Sequence, residues 1–89
     1  MKKHLFAAIL LMLMAQSANA LPPGERININ TADAATLAEV IDGVGLRRAE
    51  AIVRYRDENG AFKDVLELTN VKGIGEHTVT QNQDRLSVK

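Results

Sequence analysis

The chain has 89 residues, balances 11 basic against 11 acidic residues and contains no cysteine. A net charge near zero argues against a nucleic-acid binder that acts through its overall field, so any anion site must be built locally. The lack of cysteine excludes disulfide cross-links and thiolate metal sites, so packing alone must stabilise the fold.

The first twenty residues have the layout of a secretory leader. A basic start, MKKH, is followed by an apolar run of eleven residues, LFAAILLMLMA, and then by QSANA. This order predicts a signal peptide (1–20) that is cleaved after Ala20, which leaves no membrane anchor. The alternative is a retained anchor, although eleven apolar residues are short for a bilayer span. Cleavage would remove Lys2 and Lys3, leaving 9 basic against 11 acidic residues and a charge of −2.

After the leader, the sequence predicts a short linker followed by a domain. Residues 21–26 include two prolines and a glycine, which block regular structure. The alternation in ININ (27–30) predicts isoleucines along the core and asparagines facing solvent. Asp33 then caps a helix with the sequence AATLAEVI, whose buried face holds Leu37, Val40 and Ile41.

Two further helices are predicted. The longer, LRRAEAIVRYRDEN, runs from Gly45 to a stop at Gly60, and its apolar side holds Leu46, Ala49, Ile52, Val53 and Arg56. The shorter begins at Asp64, at capping-box spacing from Glu67, with apolar contacts from Val65, Leu66 and Leu68. The final segment, EHTVTQNQDRLSVK, has weaker helix propensity because it contains β-branched residues. We therefore expect an all-α domain, residues 27–89, of four to five short helices and no sheet.

The sequence contains an internal repeat with an offset of 30 residues. IDGVG and VKGIG share two glycines around one apolar residue, and these turns (43–45 and 73–75) fall in register. The pattern predicts two copies of a helix, a tight turn and a second helix. One such unit cannot bury the apolar faces of both its helices, whereas two units packed together can.

The glycine turns have the chemistry of a phosphate site. Glycine lets the backbone turn sharply and lets another surface approach the peptide groups. The first N–H groups of the following helix lack intrahelical partners and lie at the positive end of the helix dipole, where a phosphate oxygen fits. Such binding carries no base-sequence information. The glycines concerned are Gly43 and Gly45 in the first turn and Gly73 and Gly75 in the second.

Arginines accompany only the first turn. Arg47 and Arg48 lie on the opening turn of the long helix, where a guanidinium can bind phosphate with two hydrogen bonds. Arg54 falls about 20° from Arg47 on a helical wheel, so both can follow one phosphate strand. Residues 47–56 hold four arginines and one acid, Glu50, for a local charge of +3. The alternative is that the glycines serve only close packing and the arginines form a solvated face.

The remaining polar candidates are weaker. Arg56 lies among apolar residues, so we expect a buried stem with its guanidinium on helix-end carbonyls, nucleic-acid contact being the alternative. Lys72 precedes the second turn, and His77 stands where Arg47 stands in the first. Glu76 would crowd a phosphate there. His77 has no partner at ligand spacing, so we expect no metal site.

Aromatic content favours duplex DNA over single strands as a ligand. Beyond the leader the chain holds only two aromatic residues, Tyr55 and Phe62, and Phe62 is expected in the core. Single-strand binders need aromatic stacking platforms. The sequence offers no Ser/His/Asp set, no carboxylate cluster and no metal-ligand spacing, so we expect neither an enzyme nor a cofactor.

The stretch from Ile27 to Val88 resembles the tandem helix-hairpin-helix domain of the ComEA family, the DNA receptors of bacterial competence. The most specific matches are ININ-TA, the GVG and GIG turns, AIVRYRDENGAF and the acid-capped helix before the second turn. The resemblance implies sequence-independent binding of double-stranded DNA in the periplasm during natural transformation, with DNA-uptake pilus or inner-membrane channel components as partners. It assigns the contacts to Gly43, Val44, Gly45, Arg47 and Arg48, and by position to Lys72, Gly73, Gly75 and His77.

The sequence departs from the family at several positions. Asp42 and Lys72 stand where the family has proline, and His77 stands where it has lysine. Asn82 and Gln83 replace apolar residues of the last helix, so we expect the second turn to be degenerate or the final helix to be loosely packed. Asp42 should weaken binding at the first phosphate site.

A rival interpretation is an exported scaffold that binds protein through the same fold. The extrinsic PsbU subunit of photosystem II resembles this fold and does not act through DNA. The charge of −2 and the altered second turn favour the scaffold, whereas the stripe of Arg47, Arg48 and Arg54 favours DNA.

Overall fold

A computed structural model describes residues 24–89. The predicted leader (1–20) and residues 21–23 of the predicted linker lie outside the described residues. In chain order the elements are β1 (Ile27–Asn28), α1 (Ala34–Val40), α2 (Leu46–Asn59), a 3₁₀ helix (Val65–Asn70), α3 (Glu76–Asn82), a second 3₁₀ helix (Gln83–Arg85) and β2 (Leu86–Ser87). The predicted all-α class is confirmed.

The first repeat is an α-helical hairpin in which α1 packs on α2. Asp33 caps α1 as predicted, because its carboxylate accepts a hydrogen bond from the Thr36 N–H at 2.8 Å. That hydrogen bond lowers the pKa of the Asp33 carboxyl below its usual value. Helix α2 begins after Gly45 and ends at Gly60, the two bounds that the glycines predict.

The Asp33 cap predicts a component of acid unfolding. Since the folded-state pKa is the lower one, the charged cap contributes stability above the unfolded value of 3.8 and loses it as the pH falls through the folded value. Asp33→Asn keeps an acceptor that does not titrate. We expect the stability advantage of the native chain over this variant to shrink below about pH 4. Urea unfolding between pH 7 and pH 2.5 measures it, and parallel pH profiles would contradict it.

The second repeat is a 3₁₀ helix followed by α3, which pack together. The Asp64 carboxylate accepts from the Leu66 N–H at 2.9 Å, so Asp64 is the predicted cap. Glu67 does not complete a capping box with Asp64. Its carboxylate accepts instead from the Lys63 N–H, one residue earlier, at 3.0 Å. This bond secures the chain between α2 and the 3₁₀ helix.

The two ends of the domain pair as short parallel strands, which corrects the expectation of no sheet. Ile27 lies opposite Leu86, and the Ile29 N–H donates to the Ser87 carbonyl at 2.9 Å. Asn30, expected in solvent, is half-buried. Its side chain accepts from the Phe62 N–H at 2.7 Å and donates to the Phe62 and Val88 carbonyls. Asn30 therefore joins the start of the domain to the segment that follows α2 and to the residue that follows β2.

One core lies between the two repeats. The predicted core residues Leu37, Ile52 and Phe62 are buried. Leu46 and Leu66 were expected to pack inward, but they are 56% and 48% exposed. Both occupy the first turn or so of their helices, where the side chain projects beyond the core. The other buried apolar residues are Ile27, Ile29, Val40, Ile41, Val44, Ala49, Leu68, Val71, Ile74, Val79 and Leu86.

Asn82 is the position at which the loose-packing expectation is wrong. It occupies the repeat position of Ile52 and is only 1% exposed. Its side chain accepts from the Asp42 N–H at 2.9 Å and donates to the carbonyls of Asp42 and Thr78 at 3.0 and 2.7 Å. Arg85 donates to the same side-chain oxygen. The amide is therefore buried with its polar atoms bonded, and it connects α3 to the first turn.

Candidate nucleic-acid interface

The two glycine turns have the same backbone structure. In each, the N–H of the central apolar residue donates to the carbonyl three residues earlier at 3.1 Å, from Val44 to Ile41 and from Ile74 to Val71. The first glycines have φ near +90°, a region that side-chain-bearing residues rarely adopt. The repeat in sequence is therefore a repeat in structure.

The first turn presents open backbone donors. Gly45 is the N-cap of α2, and a Cβ placed on it would meet no atom within 4 Å. The N–H groups of the next three residues, Leu46, Arg47 and Arg48, have no carbonyl one helical turn back to bind. They lie at the positive end of a 14-residue helix. The arrangement fits an approaching anion.

A basic groove joins the two repeats. It has a volume of about 620 Å³ and combines the start of α2 with the turn of the second repeat. Four of its lining side chains are cationic and none is acidic. The lining residues are Gly45, Arg47, Arg48, Ala51, Arg54, Lys72 and Gly73. The structure thus brings together six of the ten predicted site residues.

Arg48 spans the groove between the repeats. A Cβ placed on Gly73 would lie 2.8 Å from the Arg48 Nε and 3.4 Å from its Cδ, so the arginine side chain covers this glycine. Because Gly73 has no side chain, the Arg48 side chain can lie against its backbone. The second turn therefore forms part of the same groove as the first turn. The residues that flank the second turn in sequence did not predict this.

Gly73→Ala should weaken DNA binding more than a strain-matched variant does. The methyl would displace Arg48, and the positive φ adds strain of about 1–2 kcal/mol. Gly60→Ala is the control, because Gly60 has the same φ of 90° and nothing within 4 Å of the added Cβ. We expect similar losses of stability and about tenfold weaker binding for Gly73→Ala alone, roughly one charged hydrogen bond. Equal affinities in the two variants would contradict the role of Arg48.

Four predicted site residues do not line the groove. Gly43 and Gly75 are exposed turn residues. Val44 is only 4% exposed, and its N–H donates to the Ile41 carbonyl, so its side chain packs the turn. His77 is exposed on the first turn of α3. These positions stay predictions as contacts, and Val44 has the weakest structural case.

Arg56 has the predicted structural role. Its guanidinium donates to the carbonyls of Ile29 and Ala32 at 2.8 and 2.6 Å. These carbonyls belong to the turn before α1, and not to a helix end as expected. Arg54, two residues earlier, lines the groove instead.

Substitutions of Arg54 and Arg56 should have different effects on stability and on DNA binding. Arg56→Met keeps an apolar stem but leaves two carbonyls without their donor, so we expect a loss of about 2–3 kcal/mol in the free energy of unfolding. Arg54→Met should change stability by less than about 0.5 kcal/mol and weaken DNA binding several-fold. Chemical unfolding and DNA titration of both variants check this. If Arg54→Met destabilised the fold and Arg56→Met weakened only DNA binding, the roles assigned to the two arginines would be wrong.

Asp42 is not a free acid beside the first turn. Its carboxylate lies 2.9 Å from the Arg85 guanidinium, and the side chains of Arg85 and Asp42 are 42% and 72% exposed. Sequence reasoning missed Arg85 and the bonding of Asn82. The family departures at positions 42 and 82 were the available signal, because two polar substitutions at contacting positions can satisfy each other.

Residues 24–89 lack two further kinds of feature. No group of three or more His, Cys, Asp or Glu residues is placed to hold a metal ion there. Within the same residues, no helix has the length and hydropathy to cross a membrane.

Comparison with known proteins agrees with the helix–turn–helix repeats that the structure shows. Residues 23–87 match the family described as the helix-hairpin-helix motif. The chain belongs to the helix-hairpin-helix family. It is also similar to ComE operon protein 1 of Bacillus subtilis, with 46% identity over 68 residues that cover 74% of this chain and 32% of the relative. These two findings confirm the ComEA-type assignment.

Other relatives share the domain in longer proteins. An uncharacterized protein of Haemophilus influenzae is 42% identical over 62 residues, which cover 70% of this chain and 55% of the relative. The transcriptional accessory protein Tex of Neisseria gonorrhoeae is 46% identical over 55 residues, which cover 62% of this chain and 7% of the relative. The chain therefore spans about half of the first relative and about a third of the Bacillus protein.

Proposed function

We propose that this helix-hairpin-helix domain binds double-stranded DNA without sequence preference, by holding backbone phosphates in the basic groove. The observation that carries the proposal is the groove itself, where two glycine turns and four cations meet with no acid among the lining residues. The finer role we propose is that of a DNA receptor for uptake in natural transformation.

The charge distribution supports a local phosphate site. The chain as a whole is neutral, so its overall field would not concentrate DNA. The groove places Arg47, Arg48, Arg54 and Lys72 beside open backbone donors, and a phosphate bound there would neutralise charge that has no acidic partner in the lining. Contacts of this kind hold the backbone and do not read bases.

The aromatic residues support the duplex over the single strand. The rings of Tyr55 and Phe62 stack on each other, with centroids 5.3 Å apart, and Phe62 is buried. Both are thus engaged in packing, and neither is free to serve as a platform for unstacked bases. The groove offers charge and backbone, which suit a paired duplex.

The setting that we propose is the periplasm. The leader pattern of residues 1–20 supports export, and Ala20 marks the cleavage site. There the domain would act without catalysis as a DNA receptor, with DNA-uptake pilus or inner-membrane channel components as its partners.

Fluorescence anisotropy with a labelled duplex tests the proposal. We expect micromolar or tighter binding at about 50 mM salt, equal for duplexes of different sequence. The logarithm of affinity should fall against the logarithm of salt with a slope of about −2 to −4, as for a few phosphate contacts. An absence of binding at low salt would reject the DNA function and favour the protein-binding scaffold.

A further inference from the structure

The two repeats are related in space as well as in sequence. Arg48 covers Gly73, the first glycine of the other repeat. Thirty residues on, Thr78 holds the equivalent position, and a Cβ on Gly43 would lie 3.8 Å from its Cγ2. The contact is thus reciprocal. The basic groove must therefore have a counterpart, formed by the start of α3 and the turn of the first repeat.

The counterpart surface has lost the charges of the groove. His77 replaces Arg47, and Thr78 replaces Arg48. In the 30-residue register of the sequence, Asp42 aligns with Lys72 and Asp84 with Arg54, although Asp84 lies in the second 3₁₀ helix rather than in α3. The four positions that carry cations in the groove are thus aligned with one histidine, one threonine and two carboxylates.

Two local features deepen this difference. Glu76 opens α3, so a carboxylate already lies at the helix end where a phosphate would approach. Two arginines contact these acids: Arg85, whose guanidinium is bonded to Asp42 and Asn82, and Arg26, which donates to the Asp84 carbonyl. The helix that would supply backbone donors has 7 residues, against 14 for α2. A phosphate at the counterpart surface would therefore meet carboxylates where the basic groove offers cations.

We infer that the domain holds only one of the two strands of a DNA duplex, in the basic groove, and that the counterpart surface leaves the second strand uncontacted. The inference rests on the proposed function. It deepens that function by stating that the ligand is the phosphate backbone of one strand. The fold has two equivalent turns, but only the basic groove binds phosphates. We call this arrangement a one-sided grip. Its ligand is a single run of phosphates, presented by either strand of the duplex.

Duplexes with methylphosphonate linkages, which are uncharged, test this directly. Binding of the full chain is measured by competition anisotropy for an unmodified duplex, for duplexes neutral in one strand or the other, and for one neutral in both. A one-sided grip can still use the charged strand, so each half-neutral duplex should bind less than fivefold more weakly. The fully neutral duplex should not bind, because phosphate charge supplies the affinity.

The outcomes separate the two proposals. A loss of fivefold or more with each half-neutral duplex, while the unmodified duplex binds, overturns the one-sided grip and leaves DNA binding standing. No binding to the unmodified duplex, or full binding to the duplex neutral in both strands, overturns the proposed phosphate function and this inference with it.

A gain of function provides a second test. The double variant His77→Arg, Thr78→Arg restores two cations at the counterpart surface. We expect about tenfold tighter binding and a salt slope steeper by about 2. The matched control is Ala35→Arg, Ala61→Arg, which adds the same charge at two exposed positions elsewhere. A gain no greater than that of the control overturns the view that missing cations make the grip one-sided.

Discussion

Replacing both Arg47 and Arg48 with alanine is expected to weaken duplex binding about 100-fold at low salt. Each arginine lines the groove and can offer a charge-assisted contact to phosphate, worth about 1.5 kcal/mol at the lower end. Two such contacts together correspond to about two decades of affinity. The salt slope should become shallower by about 2, because two fewer phosphates are neutralised.

The control for this variant is Lys63→Ala, Lys89→Ala. It removes the same charge from exposed residues that do not line the groove. We expect a change of no more than about threefold, since charges far from the ligand are screened. Anisotropy titrations at several salt concentrations measure both variants. Equal losses in the two would show that total charge, and not the groove, governs binding.

Asn82→Ala is expected to cost about 2–4 kcal/mol in the free energy of unfolding. The substitution removes the Asn82 partners of the Asp42 N–H and carbonyl and opens a space where the buried amide lay. Because α3 would no longer be tied to that turn, the loss should exceed that of an ordinary surface truncation. Urea unfolding followed by circular dichroism gives the value.

Gln81→Ala is the matched control, because the neighbouring Gln81 is an exposed amide on the same helix. Its stability should lie within about 0.5 kcal/mol of the native chain. If Asn82→Ala were equally harmless, the hydrogen bonds to Asp42 would contribute nothing measurable, and α3 would indeed be loosely held.

The sequence predicted the features that depend on neighbours along the chain. Asp33 and Asp64 cap their helices, and Gly45 and Gly60 bound α2, because capping and glycine conformation are local effects. The repeat predicted the two turns and much of the shared core. Arg47 and Arg54 were placed on one stripe by helical periodicity, and the structure puts both in the groove.

What could not be predicted depends on contacts between distant residues. The cover of Gly73 by Arg48 joins the two repeats, and no local pattern specifies it. Asn82 looked like a defect in an apolar helix face until its partners on Asp42, 40 residues away, were known. Leu46 fits the periodicity of α2 but extends beyond the end of the core.

The pairing of β1 with β2 also bears on the order in which the domain assembles. It pairs Ile27 with Leu86 and Asn28 with Ser87, each 59 positions apart, so nearly the whole domain lies inside the loop that it closes. Closing so long a loop costs entropy that a pair of two-residue strands cannot offset alone. Each hairpin, by contrast, forms from residues close in sequence, and such contacts form fast. The hairpins should therefore be folded before the ends meet, and the end-to-end contact completes the structure.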